Sequence, residues 1–261
     1  MRKNIKTFFV CAFFFLIPSH LAFSMEVYKN TSLIPAGEFF MGTEEGTEIE
    51  LPVHKVYLKA FRISQFEVSN KEFEMFQPKH VRSVSSPCDQ CPVTLINWYD
   101  AISYCKKKNA RLPSEAEWEK AARGPTGYRY SFGEISDQSK SNFANNFKFG
   151  AKTVKSFQPN GFGLYNMSGN VWEWVDDWFS FYAKTKIENR KAVAFSEKIV
   201  RGGSWYNSAY YINVGMRFKL NPEIKFSAET CIGFKKFENA PNARILLPSF
   251  PTFSINFLRF K

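Results

Sequence analysis

Beyond Pro125 the chain stops reading as a succession of helices and strands. The stretch from Thr126 onward is rich in Gly, Asn, Ser and aromatic residues, with few segments that keep a helical or strand period. Its backbone N–H and C=O groups still need partners. Turns, polar networks or bound ions must therefore do there what ladders do elsewhere.

The first half is more conventional. Ile34 to Met41 and His54 to Ile63 alternate apolar and polar residues in places and are expected to be strands. Ser69-Asn70-Lys71-Glu72 reads as a capping box, with Phe73 and Phe76 giving the helical face behind it. Asn97 is placed to cap a helix running to Lys107, with Trp98, Ala101, Ile102 and Cys105 at helical spacing. Ser114-Glu115-Ala116-Glu117 opens a third helix that ends near Arg123-Gly124-Pro125. Capped helices followed by a turn-rich half make an α+β class, and no linker divides residues 30–238, so one domain is expected there.

The beginning of the chain has a different character. Residues 1–24 carry Arg2, Lys3 and Lys6, then an unbroken apolar run from Phe8 to Ile17, then Ala22-Phe23-Ser24. That is the layout of a secretory signal peptide, and the apolar run is too short for a membrane anchor. Its removal takes the formal charge from +11 to +8, because three cations and no anions leave with it. The expectation is an exported protein, periplasmic or secreted, with no transmembrane segment after cleavage. Lys106-Lys107-Lys108 and Lys235-Lys236 form no stripe and accompany no nucleic-acid motif, so nucleic acid is excluded as a partner.

Cys11 also leaves with the signal, and Cys88, Cys91, Cys105 and Cys231 remain. An even number in an exported chain favours disulfides. The Cys88-Asp-Gln-Cys91 spacing also suits a redox pair or half a zinc site. No second such pair exists and the three His are scattered, so a local disulfide clip is the preferred reading. Cys105 and Cys231 are then the natural second pair.

Several segments occur in order and carry a resemblance: Ile34-Pro-Ala-Gly-Glu-Phe-Phe-Met-Gly42, Pro52-Val-His54, Phe61-Arg-Ile-Ser-Gln-Phe-Glu-Val-Ser-Asn70 and Cys91-Pro-Val. Asn97-Trp-Tyr-Asp-Ala101 and Arg111-Leu-Pro-Ser-Glu-Ala-Glu-Trp-Glu-Lys-Ala-Ala-Arg-Gly124 come after them. Next are Pro159-Asn-Gly-Phe-Gly-Leu-Tyr-Asn-Met-Ser-Gly-Asn-Val-Trp-Glu-Trp174, Arg201-Gly-Gly-Ser-Trp205 and Ile232-Gly-Phe234. Together, over roughly 33–237, they resemble the sulfatase-modifying factor family, which includes the formylglycine-generating enzymes. The resemblance implies a C-type lectin-like variant of the α+β class, low in regular secondary structure. All six Trp fall in or beside these motifs, where core packing is their ordinary role.

The resemblance also implies sites. Asn166, Gly169, Val171 and Glu173 match calcium-binding positions of the formylglycine-generating enzymes, and oxygen donors of these kinds suit a hard cation. Against this, asparagines often only satisfy turn backbone. A second family calcium site would start at Asn142 and Phe143, but Phe147-Lys-Phe149 stands where its acidic ligand belongs, so it is not expected. The copper-binding cysteines of the active enzymes fall on Asn207 and Ile212, which offer no soft donor for Cu(I). Copper chemistry is therefore not expected. Trp172 and Ser204 match residues that line the oxygen-binding part of that active site, and they serve equally well as structural residues.

Two function classes lead from this point. One is an exported binding or accessory module with calcium, facing a protein or envelope component. The other is an oxidoreductase of the family that acts on a peptide or small molecule by a different mechanism. A third, a surface protein whose basic face meets anionic envelope material, stands behind them. Residues 243–261 lie past the resemblance as an apolar tail broken by two prolines.

Overall fold

The computed structural model describes residues 30–145, 150–182 and 196–225, with the strand residues 232–233 and 237–238. The signal and tail segments, and Cys231, lie outside the described residues. The chain begins with β1 (Thr31–Ile34), β2 (Gly37–Met41), β3 (His54–Leu58) and β4 (Phe61–Ser64). Three helices come next: α1 (Asn70–Glu74), α2 (Trp98–Lys107) and α3 (Glu115–Arg123). The last strands are β5 (Trp172–Trp178), β6 (Lys198–Arg201), β7 (Phe218–Leu220), β8 (Ile232–Gly233) and β9 (Phe237–Glu238). Among the described residues between α3 and β5 no named helix or strand forms, and the class is α+β with little regular structure.

Each of the two strands expected near the start is divided. Ile34 faces Phe61 and Gly37 faces Leu58, so the register is continuous across the break. Pro35 has no N–H to give a ladder, and the ribbon bends there instead of bulging. One half joins the β1-β4-β9 sheet and the other remains the β2-β3 pair. The third sheet has the order β7-β6-β5-β8, with β5 and β8 parallel.

Helix ends match the sequence closely, with one difference. Asn97 and Ser114 form complete capping boxes with Asp100 and Glu117. Ser69 accepts the Glu72 N–H at 3.3 Å, but the Glu72 carboxylate does not fold back. It takes the Tyr104 hydroxyl at 2.6 Å instead, tying α1 to α2. Gly124 ends α3 with φ +68°, a left-handed conformation that suits glycine.

Strand β5 separates two apolar clusters by its alternation. Trp172 and Trp174 face one cluster with Phe73, Tyr104, Cys105 and Leu112. Val175 faces the other, with Trp118, Ile34, Ile63 and Ile199. Trp98 and Trp178 lie on the flank, and Lys198 Nζ sits 3.9 and 4.0 Å from their ring centroids.

Among these clusters lies a buried set of ion pairs. Arg201 has no exposed surface and donates to Glu115, to Glu119 and to the Val214 carbonyl at 2.7 Å. Arg217 grips both oxygens of Glu115 at 2.7 and 2.9 Å. Its guanidinium also donates to the Ile49 carbonyl at 2.6 Å. Glu119 takes Arg123 at 2.7 Å and the Gly42 N–H at 2.8 Å. Glu50, also fully buried, accepts the Arg217 N–H at 3.0 Å and the Thr47 N–H at 2.7 Å. Burial works against the Arg201 charge, but Glu119 and Glu115 outweigh it and hold its pKa above the ordinary value.

Removing one partner of such a set strands a buried charge, at a cost of about 3–5 kcal/mol. Glu119→Ala is expected to lose about that much in urea unfolding, with Arg201 and Arg123 both left short of an anion. A second expectation concerns acid. Burial pushes Glu117 up, but Arg111 and the Ser114 N–H and hydroxyl bring it below the usual carboxylate range. A group depressed in the folded state contributes stability above its unfolded pKa, and that contribution is lost as pH falls through the folded value. Stability should therefore drop from about pH 4.3 downward. Glu117→Gln should flatten part of that drop in pH-dependent denaturant titrations.

Candidate functional site

The turn leading into β5 is where the irregular half is organised. Asn166, Gly169 and Asn170 all have positive φ, at 53°, 87° and 66°. Asn tolerates that region because its short amide can bond locally, while Gly169 has a second reason. A Cβ there would stand 2.5 Å from the Asn142 carbonyl oxygen. The Asn170 N–H donates to that same carbonyl at 2.8 Å.

Side-chain amides complete the network. Glu67, 2% exposed, receives Asn170 Nδ2 on one oxygen at 2.8 Å and Asn166 Nδ2 on the other at 3.1 Å. Asn170 Oδ1 accepts from Asn142 Nδ2 at 3.0 Å and from the Lys152 N–H at 2.8 Å. Asn142 Nδ2 also reaches the Gly150 carbonyl at 3.1 Å. Main-chain bonds extend the net to the next glycine turn, from Gly169 N to Gly202 O at 2.7 Å and from Trp205 N to Asn170 O at 2.9 Å. Glu67, absent from the sequence-derived site, is the anion to which these amides converge.

Asn166, Gly169, Val171 and Glu173 thus lie along one turn and the strand it opens. Glu173 is fully buried and accepts the Trp118 indole N–H at 2.9 Å. Carboxylate, amide and main-chain oxygens are all hard donors, so the set fits calcium in kind. Asn166 can offer only oxygen, since its amide nitrogen is turned to Glu67. The Asn142 amide is spent inside the network, and residues 147–149 lie outside the described residues.

The positions matching copper ligands have other employment. Asn207 Oδ1 accepts both the Ser204 N–H at 2.9 Å and the Ser204 hydroxyl at 2.7 Å, closing a tight turn. Ile212 is fully buried against Tyr130 and Phe143. Its Cγ2 would lie 2.7 Å from a Cβ at Gly203, so glycine there makes room for it. Ser204, Asn207 and Ile212 are brought together, but an amide oxygen and an alkyl group do not make a Cu(I) site. Trp172 is 3% exposed, belongs to the first apolar cluster and is covered by the half-exposed Phe218.

Three tyrosines that sequence reasoning passed over stand out from this turn. Tyr206, Tyr210 and Tyr211 are 40%, 39% and 39% exposed, and the last two meet edge to face at 5.2 Å. The signal was available in the Ser-Trp-Tyr-Asn-Ser-Ala-Tyr-Tyr run of 204–211. Elsewhere, Cys88 and Cys91 form a disulfide whose Cα atoms are 5.0 Å apart. Asn70 Nδ2 bonds the Ser86 and Cys88 carbonyls beside it. Cys105 is buried under α2, and its expected partner lies outside the described residues.

Comparison with known proteins shows the family and the fold. The sulfatase-modifying factor enzyme 1-like domain matches residues 20–236. The chain is 34% identical over 220 residues to a serine/threonine-protein kinase, pkn1, of Chlamydia pneumoniae. That match takes in 73% of this chain and 35% of the kinase, so the chain spans about a third of that relative. It is 30% identical over 250 residues to the formylglycine-generating enzyme of Streptomyces coelicolor, covering 69% and 80% of the two chains. Among solved structures, Treponema denticola variable protein 1 shares the fold with a TM-score of 0.68 and 24% identity, over 80% of this chain and 95% of that one.

The crowding at Gly169 gives a direct check on the network. Gly169→Ala combines a left-handed backbone with a clash against main chain, and should cost about 1–3 kcal/mol or more in chemical denaturation.

Proposed function

Because the chain belongs to the sulfatase-modifying factor enzyme 1-like domain family, we propose that it is an exported, noncatalytic binding or accessory module of that family. The carrying observation is the state of Asn207 and Ile212. One locks the Ser204 turn and the other fills a cluster with Tyr130 and Phe143. Neither supplies a thiolate, and both are used structurally, so no oxidation step is assigned to them.

The binding element in this reading is the loop 205–211. Tyrosine offers large, rigid, amphipathic contact area at a low entropic cost, and Ser and Asn add adaptable hydrogen bonds. Here that composition sits on a turn anchored by Gly202, Asn207 and the Asn170 carbonyl. Such anchoring reduces the ordering cost that a free loop would incur on binding. The partner is taken to be a protein or envelope component. Calcium, held by Asn166, Gly169, Val171 and Glu173, would fix the turn beneath the loop. The kinase and formylglycine-generating activities named for the relatives are not carried to this chain.

One preparation of the purified protein, washed with Cu(I) and then offered cysteine-containing peptides, tests the reading. Metal analysis should find calcium near stoichiometric amounts and no retained copper, and an oxygen electrode should record no uptake. Oxygen consumption dependent on copper or iron would overturn the noncatalytic assignment.

A further inference from the structure

A cavity of about 480 Å³ opens between the β1–β2 bend and the C-terminal end of α3. That volume is within the range of about 300–1,000 Å³ typical of small-molecule sites. Phe39, Phe162 and Pro125 supply apolar wall, and Lys120 and Arg123 supply charge. None of its lining residues belongs to the 166–173 turn or the 204–212 loop.

Lys120 is the unusual member. It is 6% exposed, and its Nζ donates to the Pro35 and Gly37 carbonyls, each at 2.8 Å. An ammonium has three protons, so one is left after these two bonds. The other charges in the lining are already matched. Arg123 is held by Glu119 at 2.7 Å and by the Gly42 carbonyl at 2.6 Å, and Glu38 pairs with Lys55 at 3.2 Å. No carboxylate among the described residues forms an ion pair with Lys120. The cavity therefore carries one net positive charge at its wall, in a setting where burying a charge without its opposite is unfavourable.

We propose that this cavity binds a monoanionic amphiphile: a carboxylate on an aryl or alkyl body. The carboxylate takes the third Lys120 N–H, and the apolar body lies along Phe39 and Phe162, since strand alternation turns Phe40 to the other face with Lys55. A single unmatched cation favours one negative charge over the two of a phosphate monoester.

Titration calorimetry with 4-phenylbutyrate and its neutral counterpart 4-phenylbutan-1-ol tests this. The acid should bind about tenfold more tightly than the alcohol, the scale of a hydrogen bond to a charged group. Lys120→Met should erase that preference while keeping the alcohol's affinity. Because Lys120 also ties α3 to the bend, a second variant guards against misfolding. Ala36→Glu, on the exposed rim, should weaken the acid several-fold and leave the alcohol unchanged, with tryptophan fluorescence reporting an intact fold. No binding of the acid, equal affinities for acid and alcohol, or an acid affinity unmoved by Ala36→Glu would overturn the proposal.

Discussion

Three carboxylates and three guanidiniums, brought together from distant parts of the chain, hold this fold. Glu115, Glu119 and Arg123 come from one face of α3, Glu50 from the loop between β2 and β3, Arg201 from the end of β6 and Arg217 from the start of β7. Their charges sum to zero, which is the condition for burying them at all. Because each guanidinium also binds main-chain carbonyls at Ile49, Val214, Gly215 or Gly42, the set fixes loops that have no ladder of their own. Hydrophobic clusters alone would not select those loop paths. Directional donors do, since a carbonyl a turn out of place leaves a buried N–H unsatisfied.

The same logic extends to the second half. Glu67 does for the amides of Asn166 and Asn170 what Glu119 does for the arginines. Gly169 and Gly202 then allow the two turns to meet backbone to backbone. The result is a surface loop whose base is held where β5 begins and β6 ends, by bonds that belong to no ladder. That is the sense in which the long unpatterned stretch is structured: its backbone groups are paired one by one, with main chain from other turns and with side chains.

Legibility in the sequence tracked this division. Caps at Asn97 and Ser114 read correctly because their determinants lie within four residues. The bend at Pro35 was visible as a proline but not as a break between sheets, since the apolar alternation runs through it. The half-formed box at Ser69 could not be read, because what diverts Glu72 is a tyrosine on another helix. Glu115 and Glu119 stand four apart and resemble solvent-facing helix charges. Only the arrival of Arg201 and Arg217, about a hundred residues later, makes them buried. The candidate calcium and copper positions rest on the family motifs alone. The use now made of Asn207 and Ile212 depended on where Ser204, Tyr130 and Phe143 came to rest.

Two lysines show how the fold handles a cation it cannot pair fully. Lys198 lies between the Trp98 and Trp178 rings and donates to the Asp176 carbonyl at 2.7 Å. Ring faces and two nearby aspartates offset what burial costs it, although burial still leaves its pKa lowered. Lys120 is lowered as well, with burial as the one cause and no aspartate to oppose it. The difference is in what surrounds the ammonium. Lys198 fills its own aromatic cage and has no space left for a guest. Lys120 looks onto open volume with two carbonyls behind it, which leaves one N–H and room beside it for the anion proposed above.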